Sequence, residues 1–201
     1  MLKEESKEEY KPKLLQLLTF PDEFLTTPTS SLPKDRSEED QKALAKIVID
    51  MTHTMKKAKG IGLAANQVGL DLNLFVMSGD KYFINPKVVE RAGEVSIQEG
   101  CLSFPQINVK VKRSALVKVS HEDIEGNSMI WEMSGLEAIV AQHEIDHLNG
   151  ITFYDHASPM RKNIINRKMK KFQREKLKRE KKVQELIRSA KIDRDNERIR
   201  D

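Results

Sequence analysis

His143-Glu144-Ile145-Asp146-His147 restricts the fold of this chain more than any other stretch. Histidines at i and i+4 of a helix project from one face and can ligate one metal ion together. Apolar Leu136, Ile139, Val140 and Leu148 recur with them at helical spacing. The segment therefore predicts a helix from Gly135 to Gly150 with its histidines on the apolar face, opened by a Ser134/Glu137 capping box. A buried histidine pair needs a ligand or partner. Glu144 falls beside that position, where a carboxylate can take a proton from a water activated by the metal. Two histidines leave a catalytic site one protein ligand short. Cys101 is the natural third donor; it lies in Gln98-Glu99-Gly100-Cys101-Leu102-Ser103-Phe104-Pro105, where glycine lets backbone approach a bound group. It is the single cysteine, so it forms no internal disulfide and is either a small core residue or a working thiol.

The rest of the chain predicts one domain with an appendage, as befits 201 residues. Ser37 and Asp40 form a capping-box start for a first helix over 37–60, with Leu44, Ile47, Val48, Met51 and Met55 at helical spacing. Short β-type runs follow at 72–77, 81–84, 107–111, 116–120 and 129–133, with Asp80, Asn85-Pro86 and Glu125-Gly126-Asn127 as breaks. These elements predict an α+β fold: short antiparallel sheets packed around the central HExxH helix, with an N-terminal helix and a long basic C-terminal helix. Ser158-Pro159 supplies N-cap and N1 chemistry for that last helix, which Ile165, Met169 and Phe172 can dock on the body. Composition predicts a frayed or disordered end over 188–201.

Net charge is +4, but residues 161–201 carry 17 basic against 7 acidic side chains, whereas residues 1–160 carry 18 against 24. An acidic body with a basic tail points to nucleic acid or a membrane surface as a tail partner, or simply to a solvated helix. No run reaches the roughly 18 apolar residues of a membrane span. The mixed-charge start lacks signal or transit character, giving a cytoplasmic setting as the expectation.

Three blocks together resemble the peptide deformylases, metal hydrolases that remove the N-formyl group from nascent polypeptides. Gly60-Ile61-Gly62-Leu63-Ala64-Ala65-Asn66-Gln67 is similar to the family's GxGLAAxQ segment, Glu99-Gly100-Cys101-Leu102-Ser103 to EGCLS, and Gln142-His143-Glu144-Ile145-Asp146-His147-Leu148 to QHExDHL. The resemblance covers roughly residues 14–160, leaving 1–13 as a polar extension and 161–201 as a basic helix or tail. It implies that Cys101, His143 and His147 bind one divalent ion, usually Fe²⁺, with Ni²⁺, Co²⁺ or Zn²⁺ also accommodated. It further implies Glu144 as general base and then acid, and the Gln67 amide and Leu102 N–H as oxyanion donors. Ile61, Gly62 and Gly100 would bind the peptide backbone, while Ile97, Leu136, Ile139 and Val140 would line the methionine pocket. For those four apolar residues, plain core packing is an equally good reading.

Many bacterial members hold the substrate backbone with an arginine shortly after the cysteine block. Here Gln106-Ile107-Asn108 occupies that stretch, and Arg113 or Lys112 is a candidate replacement. In bacterial relatives the C-terminal helix docks on the ribosome, which implies rRNA contact by the basic tail through counterion release. The alternatives are a metallopeptidase of other specificity, against which EGCLS speaks, and a ribosome- or nucleic-acid-binding protein whose site is incidental.

Overall fold

The computed structural model describes residues 10–198, with side chains through residue 189, and divides into two compact units, residues 1–157 and 158–201. In the first unit, helix α1 spans Glu38–Lys57 and begins with the reciprocal Ser37/Asp40 capping box that the sequence predicts. Strands β1 (Gly62–Ala64), β2 (Leu74–Met77), β3 (Lys81–Ala92), β4 (Val95–Cys101), β5 (Phe104–Arg113), β6 (Leu116–Glu122) and β7 (Ser128–Ser134) follow, then helix α2 (Gly135–Leu148). The second unit holds helix α3, Pro159–Arg198.

The strands form a five-stranded antiparallel sheet, β1-β2-β3-β6-β7, and a separate β4-β5 hairpin. Successive residues of a strand face opposite sides of its sheet, and β2 shows the result. Leu74 and Val76 join Leu44, Met51 and Met55 of α1, whereas Phe75 and Met77 join Ala138, Ala141, Ile145 and Leu148 of α2. All four are buried because the sheet is covered on both faces, α1 on one and α2 on the other. The HExxH helix is thus central, and the α+β class stands.

Several local expectations are corrected. Asn85-Pro86 does not end β3; Asn85 adopts φ 49° and the ladder slips between Ile84 and Lys87, a bulge within one long strand. The Ser134 side chain makes no cap hydrogen bond, and the Glu137 carboxylate pairs with Lys81 rather than returning to the Ser134 N–H. Strands β1 and β4 are absent from the sequence reading, since both contain glycine and β4 turns the charged Glu99 to its buried side. Helix α3 continues to Arg198 rather than stopping near residue 188; Lys, Arg and Glu are strong helix formers even without packing. Residues 199–201 and 1–9 lie outside the described residues. Of the polar extension, the described part is anchored: Tyr10 Oη and Lys13 N both donate to the Asp50 carboxylate on α1.

Phe75 and Phe83 are fully buried and stacked with centroids 4.6 Å apart beneath α2. Phe75→Ala is expected to destabilise the protein by about 3–5 kcal/mol, read as a lower urea midpoint at constant m-value.

Candidate metal centre and active site

Ten of the fourteen α2 residues are buried, so the helix is a central rod without a polar face. Its three polar positions at the site, His143, Glu144 and His147, are 8, 4 and 0% exposed. The hairpin delivers the third group: β4 ends at Cys101 and turns sharply through Leu102-Ser103 into β5. The ligand atoms of Cys101, His143 and His147 all lie within 4.8 Å of one another, and Cys101 Sγ is 3.2 Å from His147 Nε2. A tetrahedral ion with bonds of 2.0–2.3 Å needs donors roughly 3.5 Å apart, so this spacing fits a single small cation. A thiolate with two imidazoles suits borderline divalent ions.

The surroundings orient these donors. His143 Nδ1 is 2.9 Å from Glu99 Oε2, which leaves Nε2 for the cluster. Glu99 is held in turn by Arg113, through Nε at 2.7 Å and Nη2 at 3.0 Å, and Arg113 also pairs with Asp146 on α2. Burial alone pushes the Glu99 carboxyl up, but hydrogen bonds from His143 and Arg113 outweigh it and hold it at about 2. Burial disfavours protonation of His143, yet hydrogen bonds to Cys101 and Glu99 raise its pKa well above the ordinary value. His147 is pushed well below by burial and by the charges of His143 and Arg113. The environment of Cys101 and Glu99 thus favours positive charge at the His143 end of the cluster, and both imidazoles must be neutral to ligate an ion.

Glu144 Oε2 is buried without a hydrogen-bond partner, and burial raises this carboxyl to about 7. A β-carbon on Gly62 would lie 2.2 Å from Glu144 Oε1, so glycine at this position is what lets β1 pass the carboxylate. Gln67 sits in the short 3₁₀ turn Ala65–Val68 after β1. Its Oε1 accepts from Ala64 N at 2.9 Å, so Nε2 turns to Ser103 Oγ at 3.1 Å and Cys101 Sγ at 3.4 Å. Asn66 Nδ2 donates to the His147 carbonyl, and Leu18 N and Phe20 N bond the carbonyls of Gln67 and Ser103. The turn, hairpin and helix are therefore stitched together behind the cluster.

One cleft of about 430 Å³ is lined by Ile61, Gly62, Gln67, Ile97, Gly100, Cys101, Leu102, Leu136, Ile139, Val140, His143 and Glu144. Every residue to which the resemblance assigns a metal, catalytic or peptide-binding role lines it except His147, which lies beside Cys101. The cleft lies between β1, an edge strand of the large sheet, and the β4-β5 hairpin. Asn108 and Gln106 line it too, whereas the candidate replacements for the missing arginine do not. Arg113 is buried on Glu99 and Asp146, and Lys112 is exposed and paired with Glu94. Arg113 was nevertheless legible as a core residue: Ile107, Val109, Val111 and Arg113 alternate on the buried face of β5, and a buried arginine must be paired.

Comparison with known proteins agrees with this geometry. A family model described as Polypeptide deformylase matches residues 14–163. The chain belongs to the polypeptide deformylase family. Peptide deformylase of Syntrophobacter fumaroxidans is 42% identical over 166 residues, covering 79% of this chain and 95% of that protein; that of Chromobacterium violaceum is 43% identical over 164 residues, with the same coverage. A crystal structure of the Legionella pneumophila peptide deformylase superposes with TM-score 0.73 at 35% identity, covering 82% of this chain and 98% of the other. The peptide deformylase of Ehrlichia chaffeensis, solved in complex with actinonin, gives 0.72 at 32% identity over 80% and 98%. The protein is accordingly a hydrolase of the peptide deformylase class, a metal-dependent family. Among the described residues no helix is long and apolar enough to cross a membrane.

Glu99→Gln keeps the shape but weakens the orientation of His143. Divalent-metal affinity is expected to fall about 10–100-fold, measured by competition with a chromogenic chelator. Arg113→Ala leaves Glu99 buried and unpaired, and a loss of about 3–5 kcal/mol in unfolding free energy is expected by urea denaturation.

Proposed function

We propose that this cleft hydrolyses the formamide of N-formyl-methionyl nascent peptides to formate and a free amine. The observation that carries the reading is the gathering, at one cleft, of the Cys101/His143/His147 cluster, the Glu144 carboxylate with its unpartnered Oε2 and the Gln67 amide. Cys101, His143 and His147 would hold one divalent ion, with Fe²⁺ the preferred assignment and Ni²⁺, Co²⁺ or Zn²⁺ chemically acceptable. Such an ion supplies Lewis-acid polarisation of the formyl carbonyl and brings a water's pKa towards neutrality.

Glu144 takes a proton from the attacking water and passes it to the peptide nitrogen as the C–N bond breaks. The Gln67 Nε2 group and the Leu102 backbone N–H stabilise the negative oxygen that develops on the formyl carbon. Gln67 is prepared for this because Ala64 N and Ser103 Oγ fix its amide in one orientation. Gly62 sets the substrate against Glu144, since only a residue without a side chain passes that close. The free edge of β1 at Ile61 and Gly62, with Gly100 across the cleft, accepts an extended peptide backbone irrespective of its sequence. Ile97, Ile139, Val140 and Leu136 form an apolar lining that suits an unbranched thioether.

The basic stretch 161–201 supports an accessory contact with rRNA phosphates where nascent chains emerge, in keeping with a cytoplasmic setting. Protein loaded anaerobically with Fe²⁺ or Ni²⁺ is expected to release formate from a formyl-Met tripeptide. Glu144→Gln should lower kcat by about 10²–10⁴-fold while retaining the metal, and Gln67→Ala by about 10²–10³-fold. A fully metallated wild type that releases no formate would overturn the reading.

A further inference from the structure

Helices α1 and α2 both end in a left-handed residue just past the C-cap. At α2 that residue is Gly150, φ 73°, as backbone sterics favour. At α1 it is Lys59, φ 59°. Lys59 N bonds the Lys56 carbonyl at 3.1 Å and Gly60 N the Met55 carbonyl at 2.9 Å, the paired bonds of a Schellman motif. A lysine here strains the backbone where glycine would not, and the helix terminus does not require its charge, since Lys56 and Lys57 already occupy the last turn. Backbone strain held beside a binding cleft points to a role for the side chain.

Lys59 lines the cleft, three residues before Gly62 at the reacting centre. Two other cleft-lining residues are acidic, but Glu99 is buried on His143 and Arg113, and Glu144 is buried at the centre. The remaining polar groups of the outer wall, Gln98, Gln106 and Asn108, are neutral. Lys59 is therefore the one exposed charge among the described residues lining the cleft, and it has no ion-pair partner among them. Three residues of chain reach at most about 10–11 Å, and an extended peptide advances about 3.3 Å per residue. The cleft wall at Lys59 is therefore within reach of the third residue of a peptide whose formyl group lies at Gly62.

Resting on the deformylase reading of the cleft, we propose that Lys59 is a specificity residue that favours formyl-methionyl peptides carrying an acidic side chain at their third position. Main-chain pairing along β1 reads no sequence, so this ammonium gives the outer cleft a preference of its own. An exposed ion pair is modest, so a two- to five-fold effect on kcat/KM is expected, and one that salt suppresses.

The test compares C-terminally amidated formyl-Met-Ala-Xaa peptides with Xaa as Glu, Ser or Lys, the amide removing the terminal carboxylate as a competing anion. Metal-loaded wild type should favour Glu over Lys by about two- to five-fold at low ionic strength and lose most of that preference in 1 M salt. Lys59→Gly should bring the Glu/Lys ratio close to one while raising Tm by about 2–4 °C, because it relieves the left-handed strain. Lys59→Glu should invert the ratio. Equal rates for the three peptides in the wild type, or an unchanged ratio in Lys59→Gly, would overturn this proposal and leave the deformylase reading intact. Absence of formate from all three peptides would count against the deformylase reading itself.

Discussion

Glu99 is the group on which the arrangement of the site depends. One buried carboxylate accepts from Arg113 on β5 and meets His143 on α2, tying the hairpin that carries Cys101 to the helix that carries both histidines. Three charged or polar groups without water are unfavourable singly, so each is tolerated only in the presence of the others. Asp146 closes the network by pairing Arg113 back to the same helix. The positions of the donor atoms are therefore set by an internal ion network as much as by apolar packing.

Apolar packing supplies the platform for that network. The sheet is buried on both faces at β2, where α2 rests on Phe75, Phe83, Val117 and Val119 on one side and α1 covers β1 and β2 on the other. With the helix held from beneath, its upper surface can carry His143 and Glu144 into a cleft between two strand edges. Free strand edges are usually a hazard for association, and here the free edge of the large sheet beside the cleft, β1, is only three residues long. The same design explains the glycines: Gly62 admits the Glu144 carboxylate, and Gly100 lies directly across from Asn108 on the hairpin.

The two helices of the catalytic unit and the metal-ligand candidates were legible because their signals are local. The i, i+4 histidines, the Ser37/Asp40 box and the alternation along β5 and β6 each reside within a few residues. Cys101 was legible because two histidines leave a site one ligand short, whereas the placing of Gln67 beside it was legible only through the family resemblance, since contacts across 34 to 46 residues leave no periodic trace. β1 escaped because it is three residues long and buried throughout, and β4 because the buried position of its alternation is the charged Glu99. The bulge at Asn85-Pro86 read as a break because turn chemistry and bulge chemistry share the same residues. The Glu137 half of the Ser134 capping box is missing because that carboxylate pairs with Lys81, a tertiary contact that no local motif reveals.

The central claim is that this preset cluster binds one divalent ion through the Cys101 thiolate and leaves Glu144 out of the ligand set. Reconstitution with Co²⁺ tests it directly, because a thiolate ligand produces a sulfur-to-metal charge-transfer band and the d–d bands report coordination number. The account predicts one Co²⁺ per chain with that band in the wild type, its loss in Cys101→Ser, and its retention in Glu144→Gln. Stoichiometric Co²⁺ binding without a thiolate band, or a band lost on changing Glu144, would contradict it.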